Sequence, residues 1–123
     1  MPDINYVLLY VDNPPVSAAF YADLTGKPAL DVAPTFALLA MGNGLMLGLW
    51  SKSGVEPKPV GAAGGSEIAI KVADGDAVRA TYADWVKRGV PMAQKPIDMD
   101  FGPTFVALDP DGHRLRVFAT AAP

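Results

Sequence analysis

The chain lacks several features that would fix its class at once, and each absence excludes a kind of protein. Its 123 residues include no cysteine, so disulfide bridges, thiolate metal ligands and cysteine nucleophiles are excluded. The formal net charge is −3, which argues against binding to nucleic acid because phosphate recognition needs a basic surface. No apolar run approaches the ~20 residues of a membrane-spanning helix, so we expect no membrane insertion.

The remaining composition is that of an ordinary globular protein. Hydrophobic residues make up 50% of the chain and charged residues 19%, a balance that favours a packed core over disorder. Residues 1–4 carry neither the basic segment nor the apolar segment of a secretory signal peptide. We therefore expect a single domain, residues 1–123, located in the cytoplasm.

One motif occurs twice. Thr35–Leu39 is followed by a glycine turn and then by Leu45–Trp50, and Thr104–Leu108 is followed by Gly112 and a second strand that ends at Phe118. Each copy predicts two strands joined by a tight turn and closed by a large aromatic residue. The two copies allow the halves of the chain to be compared position by position.

The segments that precede the two hairpins also correspond. Each half has an apolar strand, residues 5–11 or 68–72, followed by a helix with a side-chain cap at Asn13 or Asp74. The predicted buried stripes are Val16, Phe20 and Leu24 in the first helix and Val78, Tyr82, Trp85 and Val86 in the second.

The order of elements is therefore β-α-β-β-β, twice. We predict an α+β fold of two modules, residues 1–50 and 66–123, joined by a connector of residues 51–65 that is rich in proline and glycine.

Alternation along the strands separates two faces of each predicted sheet. In the last strand of the first copy, leucines occupy one face, whereas Met46, Gly48 and Trp50 occupy the other. The matching strand of the second copy places Arg114, Arg116 and Phe118 on its second face. So many aromatic residues on a mixed face favour a partly wet groove. The alternative is that this face does not line a groove and is simply exposed to solvent, as is common in antiparallel sheets.

The sequence resembles the vicinal oxygen chelate superfamily, which includes glyoxalase I, extradiol dioxygenases and the fosfomycin and bleomycin resistance proteins. The resemblance rests on residues 10–13 leading to 17–21, and on Asp109–Phe118 with its Asp-Pro-Asp-Gly turn. Segments 50–51, 66–68 and 98–105 look like phenazine-resistance-like members. The resemblance implies paired βαβββ modules that form a curved mixed sheet with a groove, and a homodimer.

The resemblance also implies four positions where the metal enzymes of the superfamily carry their ligands. In this sequence those positions hold Tyr6, Gly48, Glu67 and Arg116. Only Glu67 is an ordinary ligand for a divalent cation, since glycine has no side chain and arginine is a permanent cation. We expect Arg116 to form a buried ion pair with Glu67 in place of a metal.

These observations predict a metal-free binding protein that uses no cofactor and no catalytic residue. It would sequester a hydrophobic, planar aromatic molecule such as a phenazine antibiotic, by stacking and a few polar anchors. The alternative is an enzyme like glyoxalase or the dioxygenases, more readily metal-independent with Glu67 as general base than metal-dependent.

The residues expected to contact the ligand come from both modules. We expect Gly48 to leave room beside Trp50, although Trp50 could instead seal a dimer contact. The lone histidine, His113, is expected to be a turn residue. The predicted ligand-binding set is Trp50, Phe118, Tyr6, Tyr10, Met46, Gly48, Glu67, Arg116, Arg114, Met99 and Phe101.

Overall fold

Both helices begin at the capping residues that the sequence predicts. In the computed structural model, which describes residues 2–121, α1 spans Pro14–Thr25 and α2 spans Gly75–Lys87. The side chain of Asn13 accepts a hydrogen bond from the backbone N–H of Val16 (3.2 Å), and Asp74 accepts one from Ala77 (2.9 Å). These bonds satisfy N–H groups that have no partner within a helix.

The chain divides into two units, Met1–Gly61 and Ala62–Pro123. The first contains α1 and a four-stranded mixed sheet in the order β1-β4-β3-β2. Strand β1 runs parallel to β4, and the other neighbouring strands are antiparallel. The strands are β1 (Tyr6–Val11), β2 (Ala29–Val32), β3 (Phe36–Gly42) and β4 (Leu45–Ser51).

The second unit repeats this arrangement around α2. Its sheet has the order β5-β8-β7-β6, with β5 parallel to β8 and the other pairs antiparallel. The strands are β5 (Glu67–Lys71), β6 (Met92–Met99), β7 (Gly102–Leu108) and β8 (Arg114–Phe118). The predicted α+β class and the βαβββ order of each half are confirmed.

The two hairpins turn by different means. In the first, Asn43 and Gly44 both have positive φ (53° and 77°), as a two-residue turn between antiparallel strands requires. In the second, the buried carboxylate of Asp109 accepts hydrogen bonds from the backbone N–H groups of Asp111 and His113, both at 2.8 Å. His113 is therefore a turn residue, as the sequence predicts.

The buried stripe predicted for α1 is wrong. Val16 is 52% exposed, and Phe20 and Leu24 are only partly buried. The helix instead buries Pro14, Ser17, Ala18 and Tyr21. Small side chains at two of these positions let the helix backbone approach the sheet closely, while Tyr21 fills the space at the end of the stripe.

The stripe predicted for α2 is correct in part. Val78 and Trp85 are buried and Tyr82 partly so, but Val86 is 48% exposed. Tyr82 and Trp85 both make edge-to-face contacts with Phe105 of β7, with ring centroids 5.4 and 5.5 Å apart. These contacts fix which face of the second sheet packs against its helix.

The boundary between the units lies inside the predicted connector. Two details of that prediction are wrong, because Ser51 ends β4 and Lys52–Gly54 form a short 3-10 helix before the buried Val55. The outermost residues of the predicted modules, 1 and 122–123, lie outside the described residues. Neither helix within residues 2–121 has the length and apolarity needed to cross a bilayer.

Candidate functional site

Strand pairing gives the same alignment of the two halves as the sequence repeat for β1 and β4 with β5 and β8, but not for β3 with β7. Phe36 is in register with Trp50, whereas Thr104, not Phe105, is in register with Phe118. The predicted match of Phe36 with Phe105 is therefore wrong by one residue, and the two rings lie on opposite faces of their sheets.

Tyr6 is in register with Met46 in the first sheet, and Glu67 with Arg114 in the second. Tyr6 therefore corresponds to Glu67, and Met46 corresponds to Arg114, as they do in the sequence repeat. Each unit therefore has one sheet face that packs on its own helix and a second face, opposite that helix, which we call the helix-free face.

The helix-free face of the first sheet is apolar and aromatic. Tyr6, Leu8 and Tyr10 on β1 are 52%, 45% and 40% exposed. Register with β4 and β3 places their neighbours on the same face. On β1, β3 and β4 the face carries no acidic or basic side chain, while on the edge strand β2 the exposed Asp31 is in register with Leu38. The residues that the three other strands contribute are Tyr6, Leu8, Tyr10, Phe36, Leu38, Ala40, Met46, Gly48 and Trp50. A cluster of exposed apolar side chains of this kind is typical of a binding surface.

Two aromatic residues meet at one end of this face. Tyr10 and Trp50, which are in register, make an edge-to-face contact with ring centroids 6.4 Å apart. Phe36 is in register with Trp50 on the other side. The indole is only partly buried, so part of its surface is accessible to a flat molecule.

The space expected beside Trp50 at Gly48 is filled, so that expectation is wrong. A methyl group at Gly48 would lie 2.6 Å from Cδ2 of Leu8 and 2.9 Å from Cζ of Phe36. The two side chains therefore lie directly over the glycine backbone and close the gap. The absence of a side chain here allows Leu8 and Phe36 to lie flat and extend the apolar surface.

The helix-free face of the second sheet is polar at the corresponding positions. The guanidinium of Arg116 donates from Nε to Oε1 of Glu67 (2.7 Å) and from Nη2 to Oε2 (2.9 Å). Its Nη1 donates to Oγ1 of Thr104 (3.2 Å) and to Oε1 of Gln94 (3.5 Å). Four hydrogen bonds from three strands thus hold this arginine in one orientation.

The ion pair that the sequence predicts forms, but it is not buried. The side chain of Arg116 is 19% exposed and that of Glu67 is 30% exposed. The hydrogen bonds from Arg116, with its charge and that of Arg114, lower the pKa of Glu67, against the opposing effect of partial burial. Glu67 is consequently a weak base.

Aromatic residues also lie at the end of the second face. Phe101 and Phe118 make an edge-to-face contact with ring centroids 5.9 Å apart, and the guanidinium carbon of Arg116 lies 5.9 Å from the Phe101 ring centroid. Met99, at the end of β6, is 44% exposed and its sulfur is 4.0 Å from Nε2 of Gln94. Arg114 is farther from the carboxylate than Arg116, at 3.9 Å.

The predicted site residues therefore fall into two sets, one within each unit. The first set is Tyr6, Tyr10, Met46, Gly48 and Trp50, and the second is Glu67, Met99, Phe101, Arg114, Arg116 and Phe118. The sequence interpretation missed Leu8 and Phe36, although strand alternation places both on the face that it singled out. It also missed Thr104 and Gln94, which orient Arg116 and which no short-range pattern connects to β8.

The residues at the four expected ligand positions do not fit a divalent metal. Both carboxylate oxygens of Glu67 accept hydrogen bonds from Arg116, Gly48 has no side chain, and the phenol of Tyr6 is not among the usual ligands of divalent metals. Residues 2–121 contain no group of three or more histidine, cysteine, aspartate or glutamate side chains able to hold a metal ion.

Fold and sequence together place the chain in a family. The model of the glyoxalase/bleomycin resistance protein/dioxygenase superfamily matches residues 3–117, so the chain belongs to that superfamily. The predicted resemblance is confirmed.

Among characterised relatives, the chain is 30% identical over 116 residues to the phenazine antibiotic resistance protein EhpR of Enterobacter agglomerans, covering 92% of this chain and 88% of that protein. Among solved structures, it is 48% identical to protein ATC0852 of Agrobacterium tumefaciens, with a TM-score of 0.90 over 99% of this chain and 100% of that one. A glyoxalase-related enzyme from Fulvimarina pelagi shares the fold at 20% identity, with a TM-score of 0.84 over 98% of this chain and 89% of that one.

Proposed function

We propose that the protein binds a planar aromatic antibiotic of the phenazine type and confers resistance by sequestering it unchanged. The observation that carries the proposal is the helix-free face of the first sheet, which exposes Tyr6, Leu8 and Tyr10 on β1, next to the strand of Trp50, and has no charged side chain on β1, β3 or β4. The relative named as a phenazine resistance protein supports the choice of ligand class.

Stacking is the main interaction that we propose. A flat heteroaromatic ring placed on the accessible part of Trp50 would be flanked by Tyr10, whose ring already stands nearly perpendicular to the indole (82°). Aromatic contacts of this kind contribute about 0.5–1.5 kcal/mol each beyond the burial of area. Met46, in register with Tyr6 on the same face, supplies an adaptable side chain that tolerates ligands of different outline.

A catalytic role is less well supported. A metal-free enzyme of this family would need a carboxylate with a pKa near neutrality, and Glu67 is the candidate base. The hydrogen bonds from Arg116 move the pKa of Glu67 in the opposite direction and occupy both of its oxygens. The geometry therefore favours binding without bond cleavage.

The two tryptophans of the chain provide an internal test. In Trp85→Phe the only remaining indole is Trp50, and we expect phenazine to quench its fluorescence saturably. In Trp50→Phe the remaining indole is Trp85, which is 5% exposed and packs on Phe105, so quenching should be lost or greatly reduced. Quenching of Trp85 alone would contradict the proposed location.

Affinity and chemical outcome need separate measurements. By calorimetry, Trp50→Ala should weaken phenazine binding about tenfold, since one stacking contact and its buried area are lost. Val86→Ala, which removes a half-exposed apolar side chain from α2, is the matched control and should leave binding unchanged. Mass spectrometry of the ligand released after denaturation should show phenazine unaltered, whereas a stoichiometric product would overturn sequestration.

We also propose that the protein is a homodimer, as the resemblance implies. Val16 on α1 and Leu30 and Val32 on β2 are each half-exposed or more, and they provide apolar surface for self-association. Light scattering coupled to size exclusion should give twice the chain mass of 12.9 kDa. A monomer at micromolar concentration would contradict this part of the proposal.

A further inference from the structure

The hairpin that joins β3 to β4 contains the one asparagine of the chain that is followed by glycine. The chain has three asparagines. Asn13 precedes a proline, which has no backbone N–H, and Asn5 precedes a tyrosine, whose side chain crowds its own backbone nitrogen. Gly44 has no side chain, so its nitrogen is open to the side-chain amide of Asn43. An asparagine amide beside an accessible backbone nitrogen can close a five-membered ring with it.

The turn leaves room for that ring. Gly42, Asn43 and Gly44 are all exposed, and a methyl group added to either glycine would meet no atom outside its neighbouring residues within 4 Å. The register of β3 with β4 shifts between Ala40 and Gly42, so the ladder is irregular immediately before the turn. Hairpin ends with irregular pairing open at a small cost in free energy, and opening lets the Gly44 nitrogen approach Cγ of Asn43.

The corresponding turn of the second unit is restrained, although it ends in a similar pair, Asp111 and Gly112. The backbone N–H of Gly112 donates to the carbonyl oxygen of Asp109 (3.0 Å), and that of Asp111 donates to the Asp109 carboxylate (2.8 Å). The nitrogen that would attack is therefore already hydrogen-bonded. The side chain of Asp111 is also a carboxylic acid, which is a poor target for a nucleophile once it is ionised. The reaction is thus expected in the first hairpin and not in the second.

We propose that Asn43 is a site of spontaneous modification, at which the side-chain amide is lost and aspartate or isoaspartate takes its place. The Gly44 nitrogen gives up its proton and bonds to Cγ of Asn43, while the Cγ–Nδ2 bond breaks and ammonia leaves with that proton. Water then opens the resulting succinimide ring. Attack at Cγ restores the ordinary main chain with an aspartate, whereas attack at the backbone carbonyl carbon leaves the main chain running through Cγ, as isoaspartate. Water is the only other reactant, and nothing is oxidised or reduced.

The two products change the hairpin differently. Both add one negative charge to a chain whose formal net charge is −3. Isoaspartate also adds a methylene group to the main chain of a two-residue turn, in which Asn43 and Gly44 have φ values of 53° and 77°. A turn of that geometry matches the twist of the flanking strands, so a longer path displaces the start of β4. Because β4 pairs with both β1 and β3, the isoaspartate form should unfold at a lower urea concentration.

Ageing of the purified full chain tests the proposal in the natural protein. Samples kept at pH 6 and at pH 8 are compared by ion exchange, and we expect a more acidic form to accumulate about tenfold faster at pH 8, because the attacking nitrogen must lose its proton. Peptide mapping by tandem mass spectrometry should place the change at Asn43, while Asn5 and Asn13 in the same sample keep their amides. Methylation by protein L-isoaspartate methyltransferase distinguishes isoaspartate from aspartate.

A variant and a peptide serve as controls. Asn43→Gln keeps an amide but requires a six-membered ring, which closes far more slowly, so the acidic form should not accumulate. A free peptide with the sequence of residues 40–46 gives the rate of the unrestrained pair. The proposal is overturned if the natural protein stays intact while this peptide reacts fully, or if the acidic form appears equally fast in Asn43→Gln. An isoaspartate form with the urea midpoint of fresh protein would overturn the expected effect on the hairpin. None of these outcomes depends on phenazine binding.

Discussion

On the helix-facing sides of β1 and β4 in the first sheet and of β5 and β8 in the second, corresponding positions hold like aliphatic residues. Leu47 of β4 and Leu115 of β8 correspond, and both are 2% exposed. On the helix-free faces, β4 and β8 differ at every corresponding position. Gly48 corresponds to Arg116, and Trp50 corresponds to Phe118. On these strands the packed face changes little between the copies, whereas the other face is apolar in one unit and cationic in the other.

The largest expected effect tests the similarity of the packed faces. Leu47→Ala and Leu115→Ala each remove a buried side chain under a helix and should lower the free energy of unfolding by about 2–5 kcal/mol. Urea denaturation of both variants measures these losses. Leu8→Ala, a leucine 45% exposed on the helix-free face, is the control and should cost less than either. A far larger loss of stability for one of these leucines than for the other would show that the two helix-facing sides are not equivalent.

A smaller effect is expected from the ion pair that only the second unit has. Arg116→Gln leaves Glu67 without its bidentate partner and should lower the free energy of unfolding by about 1–2 kcal/mol, discounted for partial exposure. Arg79→Gln, which breaks the exposed pair with Asp76, should cost less than about 0.5 kcal/mol. Equal losses from the two substitutions would mean that the Glu67 pair is no more than a surface contact.

The same pair predicts a dependence of stability on pH. Because Arg116 lowers the pKa of Glu67 in the folded protein below its ordinary value of 4.5, the pair stabilises the fold fully above pH 4.5. That contribution is lost as the pH falls from 4.5 through the lower folded value. Urea midpoints measured between pH 7 and pH 3 should therefore fall less steeply in Glu67→Gln than in the natural protein. Parallel curves would show that Glu67 does not contribute.

A small change in stability is expected at Gly48, the first unit's counterpart of Arg116. In Gly48→Ala the new methyl group meets only the ends of two side chains, Leu8 and Phe36, which can turn outward. The free energy of unfolding should change by less than about 1 kcal/mol, because the loss of contacts is partly offset by a less flexible unfolded chain. Phenazine affinity should nevertheless fall, because the displaced side chains of Leu8 and Phe36 would make the apolar face less flat and reduce its contact with a planar ligand. Unchanged affinity would show that this face is not the binding surface.

Much of the fold was predictable because the signals are local. Asn13 and Asp74 mark helix starts through hydrogen bonds only three residues long, and Gly26 ends α1 with a left-handed backbone, at φ 70°. The duplication also aligned β4 with β8, but it matched Phe36 with Phe105, whereas strand pairing matches Phe36 with Thr104. The superfamily followed from the same residues.

The errors arose where the outcome depends on side-chain size in three dimensions. Small residues such as Ser17 and Ala18 lie under α1 because they permit close packing, although hydrophobicity alone favours Val16. The gap expected at Gly48 is filled by Leu8 and Phe36 from neighbouring strands. The Glu67–Arg116 pair was expected to be buried, yet it remains partly exposed because it lies on the helix-free face.

The central claim is that the helix-free face of the first sheet binds a flat aromatic ligand. Two-dimensional amide NMR spectra recorded during a titration with phenazine test it most directly, because each backbone N–H reports separately. We predict saturable shifts concentrated in Tyr6–Tyr10 of β1 and Met46–Trp50 of β4, with α1 and α2 little affected. Saturable shifts confined to the helices, or no shifts at the solubility limit of phenazine, would contradict the account.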